Sequence, residues 1–217
     1  MTSAARESLD ELVATMKRAG AALREAEVEF MLGGGLAIWA RGGPPTDHDV
    51  DFFVREEDAE RALAALARVG MQAEKPPEDW LFKAHDGPVL VDLIFRPAGG
   101  AIGDEHFARA TPLEVCAHTL PVASIDDVIV TKLLALTEQE PDYQAVLQVA
   151  RALREQIDWT DVEERSSSSP FARAFFTLAE GLGIVERSSS LVAARNGCET
   201  RASGRQEEGG SHRKVRT

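Results

Sequence analysis

Residues 46–54 read TDHDVDFFV. Two aspartates, Asp49 and Asp51, flank one valine, and Phe52, Phe53 and Val54 follow at once. The apolar, β-favouring run predicts a strand over 48–54. On a strand, side chains two positions apart face the same way, with roughly 6.8 Å between their Cα atoms. Asp49 and Asp51 therefore share a face while Val50 points to the other. Two carboxylates so placed repel each other unless a cation lies between them. Magnesium suits such a pair, because it is a hard ion held by one or two carboxylates together with substrate phosphates. A third acid, Asp92, interrupts the apolar run VLVDLIF at 89–95, where an unpaired charge would be costly. Three strand carboxylates can hold two metal ions about 3.5–4 Å apart, an arrangement suited to in-line displacement at phosphorus.

Immediately upstream, Val28 to Leu32 reads as a strand running into Gly33-Gly34-Gly35, with a short helix over 36–40 ended by Gly42-Gly43-Pro44-Pro45. Backbone N–H groups in such a turn can cradle phosphate, and glycine lets the backbone approach closely. The glycines alone suit a plain tight turn equally well. Around this centre the periodicities predict an amphipathic helix over 3–26, a helix over 56–69 closed by Gly70, and short strands at 71–75 and 80–85. Asp86-Gly87 is a hairpin turn signal leading into the 89–95 strand. After Pro97 a loop is expected at 99–103 and a short strand at 120–122. Ser124 is expected to cap a helix over 125–137, with Asp127 in a capping-box-like place. Further helices follow at 142–155 and 170–181, and the four serines at 166–169 read as a loop. The stretch from 186 on is polar and aperiodic, and reads as disordered. The expected organisation is an α+β core with a mixed central sheet over residues 1–97, a helical region over 98–185, and a tail over 186–217.

Composition narrows the classes. The chain has 217 residues, 44% hydrophobic and 28% charged, ordinary for a soluble globular protein. No run is long and apolar enough to span a bilayer, and the N-terminus lacks the pattern of a signal peptide. Two distant cysteines, Cys116 and Cys198, argue against a disulfide framework or zinc site and suit a cytoplasmic setting. Net charge is −12, yet the stretch from Glu186 carries seven basic and four acidic residues. The body is therefore more acidic than the whole, which disfavours nonspecific nucleic-acid binding.

The run Leu32, Gly34-Gly35-Leu36-Ala37, then Asp49-Val50-Asp51, then Asp92 resembles the nucleotidyltransferase superfamily that includes DNA polymerase β. The resemblance covers residues 28–96. GGLAIWARGGPPTDHDVDFFV is most similar to small prokaryotic nucleotidyltransferases of the AbiEii and MenT toxin type, and small antibiotic nucleotidyltransferases look alike at the same place. The resemblance implies a nucleotidyltransferase fold and transfer of a nucleoside monophosphate from an NTP to an acceptor hydroxyl on tRNA, a protein or a small molecule. It implies Mg2+ on Asp49, Asp51 and Asp92, with Asp92 aiding deprotonation of the acceptor. Gly34 and Gly35 would grip the phosphates. Lys132, in TKLLAL, matches a triphosphate-binding lysine of the toxin-like group. A toxin would also imply an antitoxin partner.

Two departures stand out. Many relatives carry Arg-x-Thr-x-Asp-x-Asp, but here no arginine adjoins Thr46, which leaves Arg41 as the substitute. Glu140-Pro141-Asp142-Tyr143 also lacks the basic residue of the later toxin motif. The bland alternatives are a solvated edge strand for the aspartates, a snorkelling Lys132, packing roles for Trp39 and Trp80, and a structural role for His48. Trp80 could instead stack on a base. At the level of the whole protein, the alternative to an enzyme is a catalytically silent regulator of the same fold that binds nucleotide or protein.

Overall fold

The computed structural model describes residues 3–46 and 49–186. His48 and the tail from residue 187 lie outside the described residues. Helix α1 (Ser3–Glu25) buries Leu12, Val13, Met16, Ala19 and Leu23 at helical spacing. Two residues past its end, Glu27 takes a left-handed conformation at φ 55° and lets Val28 N–H reach back to the Leu23 carbonyl at 3.0 Å.

Seven strands form one mixed sheet. In chain order they are β1 (Phe30–Leu32), β2 (Asp49–Val54), β3 (Gln72–Glu74), β4 (Leu81–Asp86), β5 (Val89–Ile94), β6 (Thr111–Val115) and β7 (His118–Val122), and in space they run β3-β4-β5-β2-β1-β7-β6. The β2–β5 and β1–β7 pairs are parallel and the others antiparallel. Central strands β2 and β5 are buried along nearly their whole length, so an acid on either has a structural cost that demands a reason. One face of the sheet carries Val50, Phe52, Val91 and Leu93, all inaccessible to solvent. Helix α3 (Ala59–Arg68) packs there with α1. Thr15 and Arg18 of α1 both donate to the Asp86 carboxylate, pinning that helix over the end of the β4–β5 hairpin.

Helix α2 (Gly34–Ala40) follows β1 directly. Beyond the sheet lie α5 (Ile125–Ala135), α6 (Tyr143–Leu153), α7 (Trp159–Ser166) and α8 (Pro170–Gly181). Each begins on a side-chain cap, Ser124, Asp142, Asp158 and Ser169 in turn, accepting from N–H groups of the first turn at 3.1–3.2 Å. Trp159, Phe175 and Phe176 pack with centroids 5.5–6.4 Å apart, two of the three pairs edge-to-face, and join α7 to α8.

The expected fold class holds: a mixed sheet flanked by helices, with a helical C-terminal part. Several local expectations do not. The helix foreseen over 56–69 opens as a 3-10 turn at Glu56–Asp58. The helix foreseen over 142–155 likewise ends in one, at Arg154–Gln156. Helix α4 (Asp104–Arg109), strand β6 and helix α7 were not foreseen. All three are short, and β6, with Pro112 and two other exposed residues, lacks the alternation that marks a half-buried strand. Ser166, read as loop, ends α7, is wholly buried, and donates to the Val162 carbonyl at 2.7 Å. Asp127 does donate its N–H to the Ser124 cap, but its buried carboxylate joins Arg109 of α4 and Arg165 of α7. No described helix is long and apolar enough to cross a membrane.

Candidate active site

Parallel pairing of β2 with β5 sets Asp51 opposite Asp92, and the two-residue strand period adds Asp49 to the same face. One oxygen of each carboxylate lies within 4.8 Å of the other two. Asp51 is only 9% exposed and Asp92 8%. Burial, followed by the charges of Asp49 and Asp92, pushes the Asp51 carboxyl up to about 7, although Lys132 and a hydrogen bond from Gly35 N–H pull the other way. Burial also raises Asp92, against the pull of Lys83. Three oxygen donors that close together, with Asp49 opposing the ionisation of Asp51 and Asp92, form a donor set that a divalent cation fits.

The glycine run is shaped around Asp51. Gly33 N–H donates to the Asp51 carbonyl at 2.8 Å, continuing the β1–β2 pairing. Gly34 adopts φ +49°, and a Cβ there would lie 1.6 Å from Asp51 Oδ2. Gly35 N–H bonds the Asp51 carboxylate, and a Cβ on Gly35 would come within 2.5 Å of Thr46 Oγ1. Gly34 is thus required by both its backbone conformation and its neighbour.

Gly34 and Asp51 open onto a cleft of about 600 Å³ whose far wall is α5, with Lys132 on it. Phe53, Ile94, Pro97 and the 39%-exposed Trp80 make much of the cleft apolar. Arg96, also on its lining, pairs with Asp79 at 2.8 Å. The structure therefore brings together Asp49, Asp51 and Asp92, and sets Gly34, Asp51 and Lys132 around one cleft. Arg41 is not among the lining residues. Its guanidinium donates to the carbonyls of Val122 and Ala123, at 3.3 and 2.7 Å, so it does not replace the arginine absent beside Thr46. Asp142 of the later acidic motif caps α6. Trp39 is half-buried against the core.

Sequence reasoning missed Lys83. It sits opposite Asp92 across the β4–β5 pair, its Nζ 3.1 Å from Asp92 Oδ1. The signal was present in the hairpin. A two-residue turn pairs Asp86 with Val89, and stepping back along that register puts Lys83 against Asp92.

A strand, a glycine turn and helix, an Asp-x-Asp strand and a third Asp strand beside it define the nucleotidyltransferase fold. The model of the aminoglycoside-2''-adenylyltransferase family matches residues 15–93, a stretch that holds the glycine turn, the three aspartates and Lys83 but not Lys132. Among solved structures, the chain resembles a crystal structure of ANT(2'')-Ia in complex with adenylyl-2''-tobramycin. The TM-score is 0.57 at 17% identity, over 76% of this chain and 98% of that one. It also resembles a solution structure of ANT(2'')-Ia, with TM-score 0.54 and 17% identity over 79% and 96% of the two chains. At such identities the likeness speaks for the fold. No curated protein sequence matches the chain.

Proposed function

We propose that this protein is a metal-dependent nucleotidyltransferase that moves an adenylyl group from ATP to a hydroxyl of a small molecule, with aminoglycosides as the acceptor class. The single observation that carries the reading is the convergence of three carboxylates on one sheet face, with Asp51 on the wall of a cleft of about 600 Å³. The matched family model, an aminoglycoside adenylyltransferase, supports the acceptor class. Neither that model nor the two ANT(2'')-Ia structures is a toxin, so a toxin role and an antitoxin partner find no support there.

In this reading Asp49 and Asp51 would hold a magnesium ion, which would supply positive charge to offset the triphosphate and polarise its α-phosphorus. Lys132 reaches the triphosphate from α5 and neutralises charge that builds on the leaving pyrophosphate. Gly34 leaves room for the phosphates to approach, and Gly35 N–H fixes the orientation of Asp51. Asp92 accepts the proton of the acceptor hydroxyl. The hydroxyl oxygen then forms the new bond to the α-phosphorus as the bond between that phosphorus and the bridging oxygen breaks, releasing pyrophosphate. Trp80 offers a face on which a base can stack.

The test incubates the protein with magnesium, each α-labelled nucleoside triphosphate, and an aminoglycoside panel, with total tRNA and cell protein as competing acceptors. Label from ATP entering an aminoglycoside, and lost by at least about 10²–10³-fold in Asp49→Ala, is the expected result. Label entering only tRNA or protein refutes the acceptor class. No label in any acceptor, from folded protein, refutes the enzyme in favour of a silent binding module.

A further inference from the structure

The β4–β5 register brings a positive charge to the carboxylate that a second metal ion would need. Lys83 Nζ lies 3.1 Å from Asp92 Oδ1, with the lysine side chain 26% and the aspartate side chain 11% exposed. Lys83 is fixed from both sides, since its strand position pairs with Asp92 on β5 and with Glu74 on β3. Glu74 is the other acid within register reach, but its carboxylate engages His85 Nε2 at 3.0 Å, which leaves the Lys83 ammonium to Asp92. The three carboxylates crowd within 4.8 Å of one another, and at Asp92 the Lys83 ammonium already lies where a second divalent cation would have to bind, so the two positive charges would compete for one carboxylate at short range.

We propose that Lys83 stands in for the second cation at Asp92, so that this protein holds one divalent ion, between Asp49 and Asp51, rather than two. The inference rests on the reading of these carboxylates as a cation site. Lys83 is then a positioning residue: it orients Asp92 toward the acceptor hydroxyl and replaces the charge that a second ion would bring.

The experiment counts Mn2+ bound to the full chain, in the presence of a non-hydrolysable ATP analogue, by equilibrium dialysis and electron paramagnetic resonance. One Mn2+ per wild-type chain with an uncoupled spectrum is expected. In Lys83→Met, which keeps the length of the side chain but removes its charge, the count rises to two and the spectrum shows the coupling of two ions a few ångströms apart. Lys83→Arg keeps the count at one. Two coupled ions in the wild type overturn the proposal whatever the variants do, and leave the proposed function standing. A count of one in folded Lys83→Met also overturns it. No ion in the wild type sinks the cation site itself, and the proposed function with it.

Discussion

Asp51 is an acid whose ionisation the fold opposes. Its value of about 7 arises from burial and from Asp49 and Asp92 beside it. Between the ordinary carboxylate range and pH 7 the folded protein keeps a proton that the unfolded chain has released. Stability of the metal-free protein therefore declines as pH rises through that window. The contribution is fully present below about pH 4 and gone above about pH 7, and a shift of this size is on the order of 4 kcal/mol. Two results follow for thermal melts. At pH 8 magnesium raises the melting temperature of the wild type. Asp51→Asn melts higher than the wild type without metal, shows a flatter pH profile, and does not respond to magnesium. A variant that melts lower than the wild type at pH 8 would contradict the account. Such an exchange of stability against activity is a common mark of functional sites.

Gly34 makes a second residue-scale prediction. Gly34→Ala sets a side chain at φ +49° and against Asp51 Oδ2. The conformation alone costs about 1–2 kcal/mol, and relief of the clash has to move Asp51. The expected result is a modest loss of stability by urea denaturation with a loss of transfer activity of about 100-fold or more. Activity that survives intact would show that Asp51 can move without consequence.

At the scale of elements, the cleft wall depends on how α5 is anchored. Asp127 on α5, only 2% exposed, accepts from Arg109 of α4 at 2.8 and 3.1 Å and from Arg165 of α7. Burial favours its neutral form, yet the hydrogen bonds from the two arginines and with Ser124 prevail and hold it below the usual carboxylate range. Asp127→Ala should cost about 3 kcal/mol in urea denaturation, the low end for a broken buried pair because both arginines keep some access to water. If α5 shifts as well, the Michaelis constant for ATP rises through Lys132 while the three carboxylates stay in place. The same network shows where sequence reading reaches its limit. Asp-x-Asp and the interrupted VLVDLIF run were legible because local alternation makes a buried acid conspicuous. Asp127 follows a capping serine, and local chemistry accounts for it fully, so nothing nearby signals the arginines 18 and 38 positions away. Helix α4 and strand β6 escaped notice for a related reason, since few of their residues are buried and hydrophobic period is a record of burial. Arg41 was misjudged because its carbonyl partners lie 81 and 82 positions further on.

For the whole molecule, the relevant quantity is charge. The net −12 draws a polycationic acceptor toward the protein and repels polyanions. With an aminoglycoside as acceptor, kcat/KM should fall by about tenfold between low salt and 0.5 M salt, as screening shortens the reach of the field. The rate with saturating acceptor should change little. Indifference of kcat/KM to salt would argue for an uncharged acceptor.

The sheet order has a consequence for how the molecule is made. Strand β1, the inner neighbour of the Asp-x-Asp strand, finds its second partner in β7, where Leu32 lies opposite Val122, 90 positions later. A ribosome adding roughly 5–20 residues per second needs about 5–20 s to deliver that partner. Through that interval Phe30, Met31 and Leu32 form an open, apolar strand edge, the kind of surface that pairs with other chains. The nascent protein therefore passes through a stage in which the central strands that carry its acids can already pair while one flank of the sheet stays unprotected. Its yield in a cell should depend on chaperones that occupy that edge until the last strands arrive.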